Sequence, residues 1–108
     1  QPVIIGGSME TGSYLLAGVP TCGQTFCSTA HGSGRTMSRS KAKKLVDGRV
    51  LQSDLEKRGI YIRTASWASL AEEAGMAYKN IDDVVEATEL AGLTKRVVRF
   101  VPIGNIKG

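Results

Sequence analysis

His31 is the only histidine in the chain, and it lies in a short glycine-rich stretch, Thr29-Ala30-His31-Gly32-Ser33-Gly34-Arg35-Thr36. A neutral imidazole is a good nucleophile or proton carrier near neutral pH. The two glycines of the stretch permit backbone conformations and close approaches that other residues resist. Arg35 and the nearby Arg39 carry planar guanidinium groups that can hold phosphate through paired hydrogen bonds. The combination is typical of a phosphate-binding turn with a nucleophile beside it.

Spacing alone leaves two interpretations of His31 open. A helix is expected after the turn, and its free amides would add to an anion site. The stretch is not a Walker A loop, because the leading glycine is missing and Arg35 stands where lysine is required. It is not a dinucleotide fingerprint either, because the third glycine is absent. A histidine at the end of a strand can equally be a hydrogen-bonded structural residue.

The bulk composition is typical of one small soluble domain. The chain has 108 residues, of which 42% are hydrophobic, and a formal net charge of +4. That charge permits an anionic partner but does not require one. No apolar run approaches a membrane span, and the N-terminus lacks the features of a signal peptide. Cys22 and Cys27 are too few for a disulfide framework or a zinc site, so we expect free thiols in the reducing cytoplasm.

The predicted secondary structure that must position these residues changes near Arg35, from strands before it to mainly helices after it. Residues 1–34 contain seven of the 13 glycines, with apolar β-formers between them, which predicts short strands joined by tight turns. Strands are expected at Val3-Ile4-Ile5, Tyr14-Leu15-Leu16 and Thr25-Phe26.

Helical patterns dominate from residue 35 onward. Helices are expected over 36–46, over 50–58 with Gly59 as the stop, over 66–74, and from an Asn80 cap to Gly92. In the first of them Arg35, Arg39 and Lys43, spaced by four, would share one face. Strands are expected over 60–63 and 96–103. We therefore predict an α+β fold, with a glycine-rich β segment followed by helices and two further strands.

Several motifs, in order along the whole chain, resemble the RtcB-type RNA-splicing ligases, which join RNA 3′-phosphate to 5′-hydroxyl ends. They are Gln1-Pro2-Val3-Ile4-Ile5-Gly6-Gly7-Ser8-Met9, Thr11-Gly12-Ser13-Tyr14, His31-Gly32-Ser33-Gly34-Arg35, Ser38-Arg39-Ser40-Lys41, Tyr78-Lys79-Asn80-Ile81, Asp83-Val84-Val85 and Pro102-Ile103-Gly104-Asn105-Ile106-Lys107-Gly108. The resemblance implies that residues 1–108 are the C-terminal portion of an RtcB-like ligase domain. Residues 1–34 would form its β-rich nucleotide-binding segment, and residues 35–108 its helices and strands.

The resemblance also implies a reaction. In that family the histidine of the His-Gly-x-Gly-Arg motif attacks the α-phosphate of GTP and carries GMP as a phosphoramidate. GMP then passes to an RNA 3′-phosphate, which can derive from a 2′,3′-cyclic phosphate, and an RNA 5′-hydroxyl displaces it, as in tRNA splicing and RNA repair. The matching position in this chain is His31.

Further contacts carry over from the family to matching positions. Ser13, Tyr78 and Lys107 would contact the guanine, and Ser8 would lie near the nucleotide. Gly32, Ser33 and Gly34 would contact the ribose and its phosphate. Arg35 and Arg39 would hold phosphates of the nucleotide or of the RNA termini.

The family's two manganese ions have ligands upstream of this region, so we assign no metal ligand here and expect the 108 residues alone to be inactive. The remainder of the ligase polypeptide is then a required partner. Two alternatives stay open: a non-catalytic nucleotide- or RNA-binding module, and an assembly fragment of a split enzyme.

Three other residues or groups bear on these interpretations. Glu10 stands where the family usually has glycine, and its carboxylate would either crowd the nucleotide or point to solvent. Trp67 is expected in the core rather than as a platform for base stacking. Lys41, Lys43 and Lys44 are expected on a solvated helix face.

Overall fold

The computed structural model describes the chain from Gln1 to Gly108, with the exception of the Cys22 side chain. The strands are β1 (Pro2–Gly6), β2 (Ser13–Gly18), β3 (Tyr61–Thr64), β4 (Thr94–Phe100) and β5 (Gly104–Lys107). The α-helices are α1 (Arg39–Leu45), α2 (Gly48–Lys57), α3 (Trp67–Glu72) and α4 (Ile81–Leu90), and short 3₁₀ segments cover Pro20–Thr25 and Gly75–Ala77. The prediction of an α+β fold is confirmed.

The strands form two separate sheets. One is an antiparallel sheet in the order β1-β2-β4, in which Ile4 pairs with Leu15 and Leu15 pairs with Val98. The other joins β3 and β5 in parallel, with Tyr61 opposite Gly104. A parallel pair needs a long connection, and here the chain between β3 and β5 includes α3, α4 and β4.

Side-chain caps fix the helix starts. Ser66 and Asn80, both predicted caps, accept hydrogen bonds from the amides of Ser69 and Asp82 at 3.1 and 2.8 Å. Asp47 accepts the Arg49 amide at 2.9 Å, so α2 begins at Gly48, two residues earlier than predicted. These bonds satisfy amides that have no partner within the helix.

Two apolar clusters make up the core. The first packs the inner face of the antiparallel sheet against α4 and consists of Ile5, Tyr14, Leu16, Ile81 and Val85. The second gathers α2, α3 and β3 around a residue of the β1–β2 connection and consists of Met9, Leu55, Ile60, Ile62 and Leu70. Because Met9 belongs to the second cluster, the loop between β1 and β2 is anchored in the core that the helices build.

Leu55→Ala is expected to lower the free energy of unfolding by about 3 kcal/mol, because a fully buried leucine loses transfer energy and leaves a cavity. Leu55→Met, which conserves volume, is the matched control and should cost less than about 1.5 kcal/mol. Chemical denaturation followed by circular dichroism measures both. Equal losses for the two variants would contradict the packing described here.

The structure corrects four local predictions. Thr25-Phe26 is not a strand: the 3₁₀ segment ends at Thr25, and Phe26 takes a φ of 54° and is almost fully exposed. The first helix begins at Arg39 rather than Thr36, because the Ser38 side chain caps it. The strand predicted over 96–103 covers Thr94–Phe100 instead and is followed by a separate strand, β5. There are therefore three further strands among the described residues after the glycine-rich segment, not two.

Two side-chain expectations are also wrong. Trp67 is 42% exposed rather than a core residue. Cys27 is disulfide-bonded rather than a free thiol, and the same expectation for Cys22 falls on a side chain outside the described residues. None of the helices formed by the described residues combines the length and the apolar character of a membrane span.

Candidate nucleotide-binding site

The loop between β1 and β2, residues 7–12, is the centre of the candidate site and is called the β1–β2 turn. The Gly7 amide donates to the Gly12 carbonyl at 2.9 Å, and the Ser8 carbonyl accepts from the Thr11 and Gly12 amides. Gly12 has a φ of +90°, and a Cβ there would collide with the Phe100 carbonyl oxygen of the neighbouring strand. The turn therefore requires glycine at position 12 both for its backbone angle and for its packing.

The His31 segment is hydrogen-bonded to the end of β1. The Gly6 amide donates to the His31 carbonyl at 3.1 Å, and the Ser33 amide donates to the Gly6 carbonyl at 2.9 Å. Ser13 pairs with Gly6 from the opposite side, so Ser13, Gly6 and Gly32 form one row across three backbones. With neighbouring strands about 4.8 Å apart, Ser13 and Gly32 lie about 10 Å from each other. Two predicted contact residues far apart in sequence are thus brought to one end of the sheet.

The His31 side chain is exposed beside a cleft of about 430 Å³. The walls include Val3 of β1 and Thr29, together with Leu93 and Thr94 where β4 begins. None of the other predicted side-chain contacts to the nucleotide is among the described residues that line this cleft. The hydroxyl oxygen of Thr29, two residues before His31, is buried without a hydrogen-bond partner. No pattern in the sequence predicts this.

The residues that follow His31 pair with the segment before α4. The Lys79 amide donates to the Gly34 carbonyl at 2.9 Å, and the Thr36 amide donates to the Ala77 carbonyl at 2.8 Å. Arg35 and Tyr78 face each other as an isolated antiparallel bridge. Two further predicted site residues, 43 positions apart in sequence, therefore lie side by side.

The Arg35 guanidinium is already held by the protein. It lies 4.9 Å from the centre of the Tyr78 ring, and its Nη1 donates to the Tyr78 hydroxyl at 3.2 Å. Its Nη2 donates to the Glu72 carbonyl at 2.6 Å, and its Nε donates to the Met37 carbonyl at 3.0 Å. This arrangement makes Arg35 a residue that fixes the position of Tyr78 against α3.

Arg39 is the more accessible of the two predicted phosphate-binding arginines, with 64% of its side chain exposed. Its Nε lies 4.0 Å from one Glu72 oxygen, and Lys43 Nζ lies 3.1 Å from the other. Arg39 and Lys43 thus share a side of α1, as predicted, but Arg35 precedes the helix. The helix start lies farther from the glycine turn than predicted, because four residues separate Gly34 from α1, and Ser38 caps its first turn. The spacing of residues in the sequence does not indicate that Glu72 pairs with Arg39 and Lys43, and this pairing is seen only in the folded structure.

Burial raises the pKa of the Tyr78 phenol, and the hydrogen bond that it donates to the Glu73 carboxylate raises it further. Because the folded state holds this proton more tightly than the unfolded state, its contribution to stability is complete below about pH 10 and is lost as the pH rises through the folded pKa. Alkaline titration of tyrosinate absorbance should therefore lose a late-ionising component in Tyr78→Phe. Tyr61→Phe, at an exposed position, is the control, and a missing early component in Tyr78→Phe would contradict the assignment.

Ser8 and Glu10 hold the β1–β2 turn in place. The Ser8 hydroxyl is buried, accepts the Glu10 amide at 3.2 Å and shares a hydrogen bond with the Thr11 hydroxyl at 3.1 Å. The Glu10 carboxylate accepts hydrogen bonds from the Gly75 amide and from Arg58, the latter at 3.2 Å. The Glu10 side chain therefore binds the turn to the end of α2 and to the segment before Tyr78. The Glu10 carboxylate therefore does not point to solvent, which was one of the two alternatives from the sequence.

Lys107 lies in β5, whose register is set by pairing with β3. Asn105 and Lys107 project from one face of this strand because side chains alternate. The Asn105 amide donates to the Met9 carbonyl of the β1–β2 turn at 3.3 Å. Lys107 is therefore about 7 Å further along the strand on the face that meets the turn. Ser8, Ser13, Gly32, Tyr78 and Lys107 all belong to segments that bond to this turn or to the strand ends beside it.

Among the described residues, no three His, Cys, Asp or Glu side chains come together as a metal site would require.

Comparison with known proteins shows to which family the chain belongs. The family model for the tRNA-splicing ligase RtcB matches residues 1–108. The chain belongs to the RtcB family. It is similar to the RNA-splicing ligase RtcB of Mycobacterium tuberculosis, with 48% identity over 108 residues, and to the tRNA-splicing ligases RtcB of Archaeoglobus fulgidus and Pyrococcus furiosus, with 51% and 50% identity over 109 residues.

Each of these alignments covers the whole of this chain but only part of the relative. The covered share is 25% for M. tuberculosis RtcB, 23% for A. fulgidus RtcB and 11% for P. furiosus RtcB. The chain thus spans a quarter or less of the length of these RtcB ligases, and the RtcB motif around His31 is contained within that share.

Proposed function

We propose that this chain is the guanylate-accepting, C-terminal portion of a GTP-dependent RNA ligase that joins 3′-phosphate to 5′-hydroxyl ends. The observation that carries the proposal is the placement of His31. Its backbone is fixed to the end of β1, whereas its imidazole is exposed beside a cleft. A nucleophile that must form and release a covalent bond needs a fixed position and an accessible nitrogen.

In the proposed reaction, one imidazole nitrogen of His31 attacks the α-phosphorus of GTP. A phosphorus–nitrogen bond forms, the bond to the bridging oxygen breaks, and pyrophosphate leaves as the second ring nitrogen loses its proton. An oxygen of the RNA 3′-phosphate then attacks the same phosphorus, and the imidazole leaves and regains a proton. The 5′-hydroxyl finally attacks the RNA phosphate, loses its proton and displaces GMP.

The other predicted contacts lie outside the cleft beside His31. We assign the guanine to Ser13, Tyr78 and Lys107, whose segments bond to the β1–β2 turn or to the strand ends beside it. We assign the ribose and its phosphate to Gly32, Ser33 and Gly34, of which Ser33 would have to release its bonds to the Gly6 carbonyl, and we assign Ser8 to the vicinity of the nucleotide.

Phosphates of the RNA ends are assigned to Arg39. Arg35 could hold a phosphate only by giving up bonds to the scaffold, and its observed contacts instead support Tyr78. In this proposal the metal ligands lie upstream of this chain, and metal ions would supply charge neutralisation at the triphosphate when bound.

The experiment that tests the proposal is incubation with α-labelled GTP and manganese, followed by denaturing electrophoresis. The full-length protein is expected to take up label that is stable in base and lost in acid, as a phosphoramidate requires, and peptide mapping should place it on His31. The isolated 108 residues are expected to remain unlabelled. Stable labelling of the isolated chain would refute the need for upstream residues, and labelling at another side chain would refute the role of His31.

A further inference from the structure

A second cleft, of about 510 Å³, opens between α2 and the segment that joins β3 to α3. Its walls include Gln52 of α2, Arg63 of β3 and Trp67, the first residue of α3. Trp67 keeps 42% of its surface exposed, which is unusual for the largest apolar side chain of a small fold. None of the residues assigned to the nucleotide is part of this cleft.

Two guanidinium groups pack on aromatic rings at or beside this cleft, which Arg63 and Trp67 line and which Arg49 and Tyr61 do not. Arg49 lies 5.8 Å from the centre of the Trp67 ring, and Arg63 lies 4.5 Å from the centre of the Tyr61 ring. Among the ion pairs formed by the described residues, neither Arg49 nor Arg63 has a carboxylate partner. Their charge is therefore available to an anion, unlike that of Arg58, which is paired with Glu10.

The Trp67 platform is held rigidly at its backbone. A Cβ added to Gly48 at the start of α2 would collide with the Trp67 carbonyl, so the two helix starts are in direct contact. Ser66 caps α3 immediately before Trp67. A ring on a fixed backbone loses little conformational freedom when a ligand stacks on it, which favours binding.

We propose that this cleft binds a single-stranded segment of RNA, with a base stacked on Trp67 and the adjoining phosphates at Arg49 and Arg63. Exposed aromatic faces flanked by arginine are how proteins bind unpaired bases. A duplex keeps its bases stacked inside, so it offers no base face to Trp67. The choice of RNA as the ligand rests on the proposed ligase function, whereas the stacking site rests on the cleft itself.

The position of the cleft suits a strand whose end lies at His31. Helix α3 extends from Trp67 to Glu72, a rise of about 8 Å. At its far end the Glu72 carbonyl accepts from Arg35, four residues after His31, and its carboxylate faces Arg39. An RNA with its terminal phosphate near these arginines would reach Trp67 within a few nucleotides of the joining site.

The test uses the full-length ligase and a short fluorescein-labelled single-stranded RNA that ends in a 3′-phosphate. In anisotropy titrations, Trp67→Ala is expected to raise the Kd about tenfold, and Trp67→Phe, which keeps a stacking face, by no more than about threefold. Arg49→Gln should weaken binding and reduce its salt dependence, whereas Lys57→Gln, at the other end of α2, is the charge-matched control. Guanylylation of His31 without RNA should be unchanged in every variant.

Three outcomes would overturn the RNA site. One is an unchanged Kd for Trp67→Ala, and another is an equal loss of affinity for duplex RNA of the same length. The third is protection of Trp67 from acrylamide in the full-length protein without RNA, judged from the fluorescence that Trp67→Phe removes, because another part of the polypeptide would then cover the cleft. If the wild-type protein fails to guanylylate His31 while Trp67→Ala still weakens RNA binding, the proposed ligase function fails and the RNA site stands.

Discussion

His31→Ala in the full-length protein is expected to lower both guanylylation and RNA joining by about a thousandfold or more, because the proposed reaction passes through a phosphoramidate on the His31 imidazole. Since the imidazole is exposed and the structural hydrogen bond of this residue is made by its carbonyl, the melting temperature should be unchanged. Labelled GTP and a ligation gel measure the two activities. Ser28→Ala, an exposed neighbour on the same cleft, is the matched control and should retain activity within a few-fold.

A second measurement separates a nucleophile from a binding residue. If His31 acts only in the transfer of GMP, the His31→Ala enzyme should still seal an RNA whose 3′-phosphate has already been joined chemically to GMP. Loss of this sealing step as well would assign His31 to RNA positioning or to the final displacement. Retention of GTP labelling by His31→Ala would exclude it as the nucleophile altogether.

Gly12→Ala is expected to lower the free energy of unfolding by about 4 kcal/mol, because the strain of a positive φ and the overpacking of a backbone contact add together. The φ at Gly12 is +90°, and the new methyl group would meet the Phe100 carbonyl oxygen. To remove this clash, β4 and the β1–β2 turn would have to move apart. That movement would break the row of Ser13, Gly6 and Gly32. We therefore expect a loss of guanylylation in parallel with the loss of stability.

Gly23→Ala is the control for this substitution, because a Cβ at Gly23 meets nothing within 4 Å and its φ is not positive. It should change stability by less than about 1 kcal/mol. Thermal unfolding and hydrogen exchange of the β2 amides measure the effect of both variants. A Gly12→Ala protein as stable as the Gly23→Ala protein would contradict the close approach of the turn to β4.

The sequence by itself determined the features that depend on neighbouring residues. Ser66 and Asn80 cap helices, and Gly59 and Gly92 end them in the left-handed region, because these effects act within one turn of the chain. The run of apolar β-formers Val3-Ile4-Ile5 before the glycines was enough to predict β1. The motif around His31 carried the family resemblance, since it is a contiguous set of residue types.

The tertiary structure decided the features that depend on residues far apart in sequence. Arg35 is bound by Tyr78 and by the Glu72 carbonyl, 43 and 37 positions away, so no local pattern shows that its guanidinium serves the scaffold. Glu10 is bound by Gly75 and Arg58, and β5 exists because β3 offers it a parallel partner. Trp67 is 42% exposed although its backbone packs closely on Gly48, and no local pattern in the sequence predicts this exposure. Local free-energy differences set the helix ends, whereas the positions of these side chains follow from packing that only the folded chain brings together.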